Sequence, residues 1–306
     1  MFRFLSMPSA SFLIPVYNSQ HFADALDSAL EQSFADIEII ISDDSTNDDA
    51  HNVVLAKNDS RIRYIRNTPG LGFHANFEQC YLMAHGTYIK FLNHDDILRG
   101  DCVAQMVDAF TQLGDVIALV FARRARIDSF DNVLPDDIQT QPIAQRNGTF
   151  RANMLANICL TKSTNFIGEP SATMFRRRDV LANPAGLFCI GEQQFTCLAD
   201  LALWLRLLTK GDAYYIADQL CGYRVHGEQL QNAAPVRTLC RTERFHIARA
   251  ARTLGFLEDV TEYLQVLEQS KKHIEWAARR PDITAEERDI CDAAAARLEA
   301  EVLLLQ

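Results

Sequence analysis

The 306-residue chain lacks an excess of positive charge. It has 30 Lys and Arg against 40 Asp and Glu, which gives a formal net charge of −10. Because general nucleic-acid-binding proteins present a basic face, this balance argues against such a function. The chain is 48% hydrophobic and 23% charged, so it has enough apolar side chains for a sizeable core. Its length predicts one large domain, or one domain with an appendage.

Two other features are absent. No run of about 18 apolar residues occurs, so we expect no membrane-spanning helix. The apolar N-terminus continues directly into a predicted strand, and we do not interpret it as a signal peptide. The eight cysteines are scattered, without a CxxC or any paired spacing. We therefore expect a reducing intracellular compartment, with most of the cysteines serving as small core residues.

Short apolar runs alternate with helical patterns in the first 122 residues. In the first helical pattern, Phe22, Leu26, Leu30 and Phe34 follow one another at intervals of four and form an apolar stripe. The alternation predicts an α/β fold, a mainly parallel sheet with helices on both faces. The runs predicted to form strands are residues 11–16, 37–42, 61–67, 87–92 and 116–122.

The remainder of the chain is less regular. Residues 123–198 are rich in polar and turn residues and predict no clear elements. An amphipathic helix follows at 199–211, and then two short strand-like segments at 213–217 and 220–225. The sequence is helical from about Val236 onward, where Thr284 and Glu287 form a capping box.

These patterns predict two regions. Residues 1–232 form an α/β domain, with a first half at 1–122 and a second half at 123–232. Residues 233–306 form a helical extension.

The unusual polar residues follow the predicted strands. In an open parallel sheet, ligands bind outside the carboxyl ends of the strands, where the strand order reverses. Several carboxylates at one edge repel each other unless some accept hydrogen bonds and others bind a hard cation. The residues at these strand ends are Pro15, Tyr17, Asn18, Asp43, Asp44, Asn93, His94, Asp95 and Asp96.

A nucleotide diphosphate accompanied by Mg²⁺ or Mn²⁺ fits such an edge. A carboxylate after the second strand can accept a hydrogen from the base or the ribose, and Tyr17 offers a ring for stacking. A carboxylate after the fourth strand can bind the metal. The chain has no GxGxxG after the first strand and no GxxxxGK[ST]. Since these backbone cradles for phosphate are missing, a metal bridge becomes more necessary.

Residues 11–49 and 70–96 resemble the inverting family 2 glycosyltransferases with the GT-A fold. The shared features are an apolar strand followed by P-x-Y-N, the acidic loop DDSTNDD, and the segment NHDD in place of a D-x-D motif. The resemblance is strong over residues 11 to about 110 and looser over 165–228.

The resemblance implies that the first half, residues 1–122, binds the nucleotide and that the second half, residues 123–232, binds the sugar and the acceptor. It also implies roles for residues of the first half. Asp43 would contact the base, and Asp44 would lie close to the base or the ribose. Asp95 would be the metal ligand, although Asn93 replaces the first acid of the motif. The other residues that the resemblance or the strand-end pattern assigns to nucleotide-sugar binding are Pro15, Tyr17, Asn18, Asn76 and His94.

Three residues of the second half receive roles from the same resemblance. Glu169, in a Gly-Glu-Pro segment, would lie near the sugar pocket. Asp200 would be the catalytic base, because Ala199 stands where these enzymes usually have Glu in a Glu-Asp pair. His226 would lie near the metal and the diphosphate.

The implied reaction is a single displacement, in which Asp200 takes the proton of an acceptor hydroxyl as that oxygen attacks the anomeric carbon. By resemblance we expect a glycan or lipid-linked acceptor and a role in bacterial surface polysaccharide synthesis. We expect a cytoplasmic enzyme, and we also consider attachment to the inner face of the membrane and a homodimer formed by the C-terminal helices.

Other interpretations remain open at this point. A sugar nucleotidyltransferase would share the fold, although it would need a Gly-rich basic loop after the first strand. A binding protein that has lost catalysis is the second alternative, because of Asn93 and Ala199. Asp95, Asp96 and Asp200 could instead cap helices. The arginines from Arg237 to Arg252 either face a membrane or pack within the helical region, and we favour packing.

Overall fold

The structure is a computed structural model and describes residues 8–18, 20–180, 185–227 and 234–305. The predicted domain boundary at 232 and most of the apolar N-terminal segment lie outside these residues.

The elements of the first 150 residues alternate as predicted, with short additions. The first seven are β1 (Ala10–Val16), α1 (Phe22–Leu30), β2 (Ile37–Asp43), α2 (Asp49–Lys57), β3 (Ile62–Arg66), α3 (Phe73–Met83) and β4 (Tyr88–Phe91). They are followed by β5 (Ile97–Leu98), α4 (Cys102–Leu113), β6 (Ile117–Ile127), β7 (Val133–Leu134) and β8 (Gly148–Phe150).

The second half of the chain is mainly helical. Its elements are α5 (Ala152–Thr161), β9 (Thr173–Arg176), β10 (Cys189–Ile190), β11 (Gln193–Gln194), α6 (Ala199–Leu208), β12 (Asp212–Arg224), α7 (Ala234–Thr253), α8 (Val260–Ala278) and α9 (Ala285–Leu305). Short 3₁₀ turns occur at Gly114–Val116, Pro170–Ala172 and Arg177–Asp179.

The chain divides into two compact units, which interleave along the sequence. The first unit falls within residues 1–150, 167–182 and 210–225, and the second within 151–166, 183–209 and 226–306. The first unit therefore contains the large sheet, and the second contains α5, α6 and the C-terminal helices α7, α8 and α9.

The large sheet has the strand order β3-β2-β1-β4-β9-β6-β12-β5, with β7 beside β6 and β8 beside β12. Strands β3, β2, β1 and β4 run parallel, as do β6 and β12, whereas β9 pairs antiparallel with both β4 and β6. The predicted α/β class is confirmed. Strand β1 lies between β2 and β4, so the order of the strands reverses there and their carboxyl ends lie side by side.

The core of the first unit forms around β1 and β2, which are buried along their whole length. Because the side chains on both faces of these strands are buried, β1 and β2 read as nearly continuous apolar runs. Helix α1 buries Phe22, Ala25 and Leu26 against this core. It ends at Leu30, and Phe34 packs against the core from beyond the helix instead of extending its stripe.

One detail differs from the pattern-based prediction, and one turn depends on a glycine. The two segments expected near 213–225 form the single strand β12, which has irregular register between Ile216 and Cys221, where we expected a break. Gly86 lies beyond the C-cap of α3, which is Ala84. A Cβ at Gly86 would lie 2.6 Å from Ser11 Oγ, so glycine is needed for the close approach of this turn to β1.

The second unit confirms the predicted helices and the capping box. Glu287 accepts a hydrogen bond from the backbone N–H of Thr284 and donates its own to Thr284 Oγ1. The arginines of α7 bind within this unit, which agrees with the favoured packing interpretation. Arg241 lies over the Trp276 ring, Arg252 over the Tyr263 ring, and Arg249 pairs with Glu301.

The cysteines are mostly core residues, as expected. Six of them are buried and take no part in a disulfide: Cys80, Cys102, Cys159, Cys189, Cys221 and Cys291. Cys197 and Cys240 form a disulfide, which neither the scattered spacing nor the expected reducing compartment predicted. Within the residues that the structure describes, no helix combines the length and the apolar character needed to cross a membrane.

Candidate active site

The carboxyl ends of β1, β2 and β4 are joined by backbone and side-chain contacts. Val16 pairs with Asp43 in the parallel register, and Leu92 N donates to Leu13 O at 3.0 Å. Asn76, in the first turn of α3, donates from Nδ2 to Val16 O at 3.0 Å. Neighbouring strands lie about 4.8 Å apart, so the ends of β2 and β4 are about 10 Å from each other. The predicted strand-end residues of the first unit therefore share one edge.

Asp43 is fully buried at the end of β2. Its carboxylate accepts hydrogen bonds from the Ser45 N–H at 2.8 Å and the Tyr64 hydroxyl at 2.7 Å. Burial, and then the bond to Asp43, raises the pKa of Tyr64, so its hydroxyl remains a donor. Asp43 thus fixes the turn after β2, and any contact with a base would use its remaining lone pairs.

Asp44 holds the loop that leads into α3. Its Oδ1 accepts from Leu71 N at 3.0 Å and Asn67 Nδ2 at 2.8 Å, and its Oδ2 accepts from Gly72 N at 2.8 Å.

The predicted residues at the end of β1 differ in exposure. Tyr17 is 73% exposed, so its ring is accessible for stacking. Asn18 Oδ1 accepts from Gln20 N at 3.3 Å. Pro15 is buried within β1.

The acidic loop after β4 separates its two adjacent carboxylates. Asp96 is 1% exposed and accepts from Ser171 Oγ at 2.6 Å, Asn93 Nδ2 at 3.0 Å and Arg224 N at 2.9 Å. Burial, and then the charge of Asp95, raises its pKa well above the usual range. Asp96 does not cap α4, whose N-cap residue is Asp101. It is an internal anchor of the loop.

Asp95 and His94 are partly exposed on this loop. The backbone carbonyl of Asp95 accepts from Arg224 Nε at 2.7 Å. Arg224 is almost fully buried, and its guanidinium also donates to Asp128 O at 2.8 Å and pairs with Asp131 at 2.7 Å. Arg224 thus fixes the backbone beneath the carboxylate that the sequence assigned to metal binding.

Ser171 links the acidic loop to the Gly-Glu-Pro segment. Its Oγ accepts from Asn93 N at 2.9 Å, and its carbonyl accepts from the fully buried Lys90 ammonium. Two residues earlier, Glu169 pairs with the buried Arg124 at 2.6 Å. This ion pair offsets one more negative charge close to the acidic loop.

The donor set suits a divalent ion that arrives with a diphosphate. Among the described residues, no group of three or more His, Cys, Asp or Glu could hold an ion by itself. Mg²⁺ commonly binds one or two carboxylates together with substrate phosphates and water. Asp95 offers such a carboxylate. Asn93 donates from Nδ2 to Asp96, which leaves its Oδ1 as the acceptor end of the amide.

The predicted base belongs to the second unit. Asp200 lies in the first turn of α6, and its Oδ2 accepts from Asn165 Nδ2 at 2.8 Å while its Oδ1 accepts from Leu201 N at 2.7 Å. His226 follows β12 and is partly buried in the same unit. The structure therefore gathers the predicted residues into two sets, with Asp43, Asp44, Asn76, Asn93, His94, Asp95 and Glu169 in the first unit and Asp200 and His226 in the second.

The sequence interpretation missed several supporting residues. Arg224 lies two residues before His226 in the Tyr-Arg-x-His segment, so this motif could have identified Arg224 as a supporting residue. Lys90 could have been recognised from the sequence, because it is the one charged residue in the predicted strand at 87–92. Ser171 and Glu243, whose partners are distant in sequence, gave no such signal.

Known proteins resemble this chain in sequence. An uncharacterized protein of Mycobacterium tuberculosis is 30% identical over 227 residues, which cover 70% of this chain and 66% of that protein. The GalNAc(5)-diNAcBac-PP-undecaprenol beta-1,3-glucosyltransferase of Campylobacter jejuni is 35% identical over 105 residues, 33% of this chain and 34% of that enzyme.

Solved structures share the fold. S. aureus TarS 1-349 in complex with UDP-GlcNAc has a TM-score of 0.63 at 13% identity, covering 95% of this chain and 80% of that one. The mannosyltransferase PcManGT from Pyrobaculum calidifontis, in complex with GDP-Man and Mn²⁺, has a TM-score of 0.54 at 14% identity, covering 98% and 81%.

The model of the family described as "Glycosyl transferase family 2" matches residues 11–181. This range is more than half of the chain, and it contains the three strand ends, the acidic loop and the Gly-Glu-Pro segment. The fold of the solved glycosyltransferases agrees with this match. The chain belongs to glycosyl transferase family 2 and is a glycosyltransferase.

Proposed function

We propose that the chain is an inverting, non-processive glycosyltransferase that moves a sugar from a nucleotide-diphosphate donor to an acceptor hydroxyl. The observation that carries this proposal is the acidic loop at the switch point of the sheet. There a buried Asp96 anchors the backbone, and the adjacent Asp95 is left partly exposed. A loop built in this way offers one carboxylate to a metal-bound diphosphate without burying two charges together.

Nucleotide binding would use the edge formed by β1, β2 and β4. Tyr17 would stack on the base, and Asp43 would accept from it. Asp44 would shape the pocket by holding the loop before α3. Asn76 supports a nucleotide site at this edge, because its Oδ1 is buried and has no hydrogen-bond partner among the described residues. Pro15, Asn18 and His94 remain predicted contacts.

In the proposed reaction, a bond forms between the acceptor oxygen and the anomeric carbon as the bond from that carbon to the diphosphate breaks. Asp200 takes the acceptor proton, a step worth roughly 10²–10⁴ in rate. Asp95 and Asn93 Oδ1 would hold a divalent ion, which offsets the charge that grows on the departing phosphate. His226 is proposed to contact the same diphosphate. Glu169, which Arg124 holds in place, is proposed to contact the sugar.

The acceptor and the donor are proposed by chemical class. The Campylobacter relative is named for a PP-undecaprenol-linked glycan, which supports a glycan or lipid-linked acceptor. The two solved structures hold UDP- and GDP-sugars, and the second holds Mn²⁺. We retain surface polysaccharide synthesis, the cytoplasm, the inner membrane face and the homodimer as predictions.

Calorimetry tests donor binding. UDP, GDP, dTDP and CDP are each titrated with and without Mn²⁺, and we expect one of them to bind in a metal-dependent manner. Asp95→Asn should weaken that binding at least tenfold, whereas Asp101→Asn, an exposed acid six residues later, should not change it. If no nucleotide binds, both the transferase and the nucleotidyltransferase interpretations fail.

Hydrolysis of the matching donor sugar tests catalysis. Asp200→Asn should keep the nucleotide affinity and lower the rate by roughly 10²–10⁴. A wild-type protein that binds the nucleotide but never turns over the donor would favour the non-catalytic binding protein. Transfer that persists unchanged in Asp200→Asn would refute the assignment of the base.

A further inference from the structure

One face of α7 holds the segment that precedes the predicted base. Cys240 and Glu243 are three residues apart, so they lie on the same side of the helix. Cys240 is bonded through its disulfide to Cys197, and Glu243 contacts the residues on both sides of Cys197. Helix α6, which carries Asp200, begins two residues after Cys197. Two attachments from α7 therefore fix the start of α6.

Glu243 supplies acceptors to three consecutive backbone amides that lead into α6. It is 5% exposed, and its Oε1 accepts from Thr196 N at 2.8 Å. Its Oε2 accepts from Cys197 N at 2.9 Å and Leu198 N at 2.8 Å. No side-chain hydrogen bond from the N-cap residue, Leu198, serves these amides. Backbone N–H groups at a helix start need such partners.

The next residue of α7 holds the other segment that contacts Asp200. Arg244 donates to Ser163 O. Two residues later, Asn165 donates to Asp200 Oδ2. Burial, and then the charge of Arg241, lowers the pKa of Arg244 to about 10, so its guanidinium stays charged at neutral pH. Both segments around the predicted base are thus tied to adjacent residues of one helix.

We propose that Glu243 is a positioning residue that sets the orientation of Asp200. This inference rests on the proposed function, in which Asp200 is the base. Ala199 brings no second carboxylate beside Asp200, and the second carboxylate at the start of α6 is that of Glu243 from α7. Because rate depends steeply on the placement of a catalytic group, a displacement of about 1 Å can cost about 10²-fold. Helix α7 therefore supports the segment that carries the predicted base.

A double-mutant cycle tests the proposal. Glu243→Gln places an amide NH₂ opposite backbone N–H groups and should lower kcat about 10–100-fold, with the donor KM within twofold of wild type. In the Asp200→Asn background, the same substitution should change the residual rate less than twofold. A residue that only stabilised the fold would lower the rate equally in both backgrounds.

Glu287→Gln is the matched control. Glu287 is an equally buried carboxylate of the same unit, and it binds Thr284, Thr238 and Arg280 instead of the start of α6. This control should lower the melting temperature and leave kcat unchanged. If Glu243→Gln does not fold, Glu243→Asp, which keeps the charge and withdraws it from the amides, is measured in the same cycle.

The outcomes distinguish the positioning role of Glu243 from the proposed role of Asp200 as the base. Wild-type kcat in the Glu243 variants, or an equal loss with and without Asp200, would overturn the positioning role and leave the proposed base intact. Full activity in Asp200→Asn alone would remove the proposed base, and the positioning role with it.

Discussion

The adjacent acids Asp95 and Asp96 have different roles in the same loop. Two neighbouring carboxylates that were both buried without a cation would repel each other. Asp96 turns inward to three donors, and Asp95 stays partly exposed above a backbone that Arg224 holds. The pair therefore consists of one buried, structural carboxylate and one partly exposed carboxylate. The family resemblance assigned metal binding to Asp95, whereas the anchoring contacts of Asp96 were not predicted.

Replacing Asp96 should damage the fold more than replacing a nearby exposed acid. Asp96→Ala leaves Ser171 Oγ, Asn93 Nδ2 and Arg224 N without their acceptor, and we expect a loss of about 2–4 kcal/mol in the free energy of unfolding. Asp101→Ala removes an exposed pair with Arg99 and should cost at most about 1 kcal/mol. Urea unfolding of the three proteins measures both. Equal stability of the two variants would contradict the anchoring role of Asp96.

At the scale of elements, the sequence predicted what depends on local pattern. Strands β1 and β2 are buried on both sides, and their unbroken apolar runs identified them. The family resemblance likewise located the acidic loop after β4. Strand β9, which runs antiparallel between β4 and β6, was not predicted, because four residues carry too little periodicity. Strand β12 was divided in the prediction because its irregular register interrupts the alternation.

The supports of the site depend on long-range contacts and could not be predicted. Asp200 was found from a local motif, but Glu243 and Cys240 lie more than 40 residues away from the segment that they hold. Nothing in the helical pattern of α7 distinguishes these residues from ordinary core positions. Only the packing of α7 against the start of α6 assigns their role.

The disulfide between Cys197 and Cys240 should stabilise the start of α6. It closes a loop with a sequence separation of 43, for which chain entropy predicts about 4 kcal/mol. A reducing agent should therefore lower the melting temperature of the wild type, and the double variant Cys197→Ser, Cys240→Ser should be insensitive to it. The control is a thiol titration of the unreduced, denatured protein, which should find six free thiols. Eight thiols would show that the bond is not formed.

At the scale of the whole molecule, charged side chains are grouped locally. The sheet edge carries several carboxylates, whereas arginines of α7 pack on rings and acids of their own unit. Arg241 also donates to His273 Nδ1 at 2.9 Å, which requires a neutral imidazole at that nitrogen. The arginines therefore affect how the second unit responds to pH.

We expect the second unit to lose stability as the pH falls from about 6.5 toward 4. Burial, and then the charges of Arg244 and Arg241, lowers the pKa of His273 to about 4. Burial, and then Arg297 and Arg249, lowers the pKa of His246 to about 4. An unfolded histidine titrates near 6.5. Between these values the unfolded chain binds more protons, so the free energy of unfolding rises with pH and falls on acidification.

Urea unfolding at pH 5.0 to 7.0, followed by tryptophan fluorescence, measures this dependence. Both tryptophans, Trp204 and Trp276, belong to the second unit, so their signal reports on that unit. The double variant His246→Gln, His273→Gln should show a smaller slope of unfolding free energy against pH, and each single variant an intermediate one. An unchanged slope in the double variant would mean that other groups govern the response. Equal m-values in all four proteins would show that the same surface is exposed on unfolding, which the comparison of slopes requires.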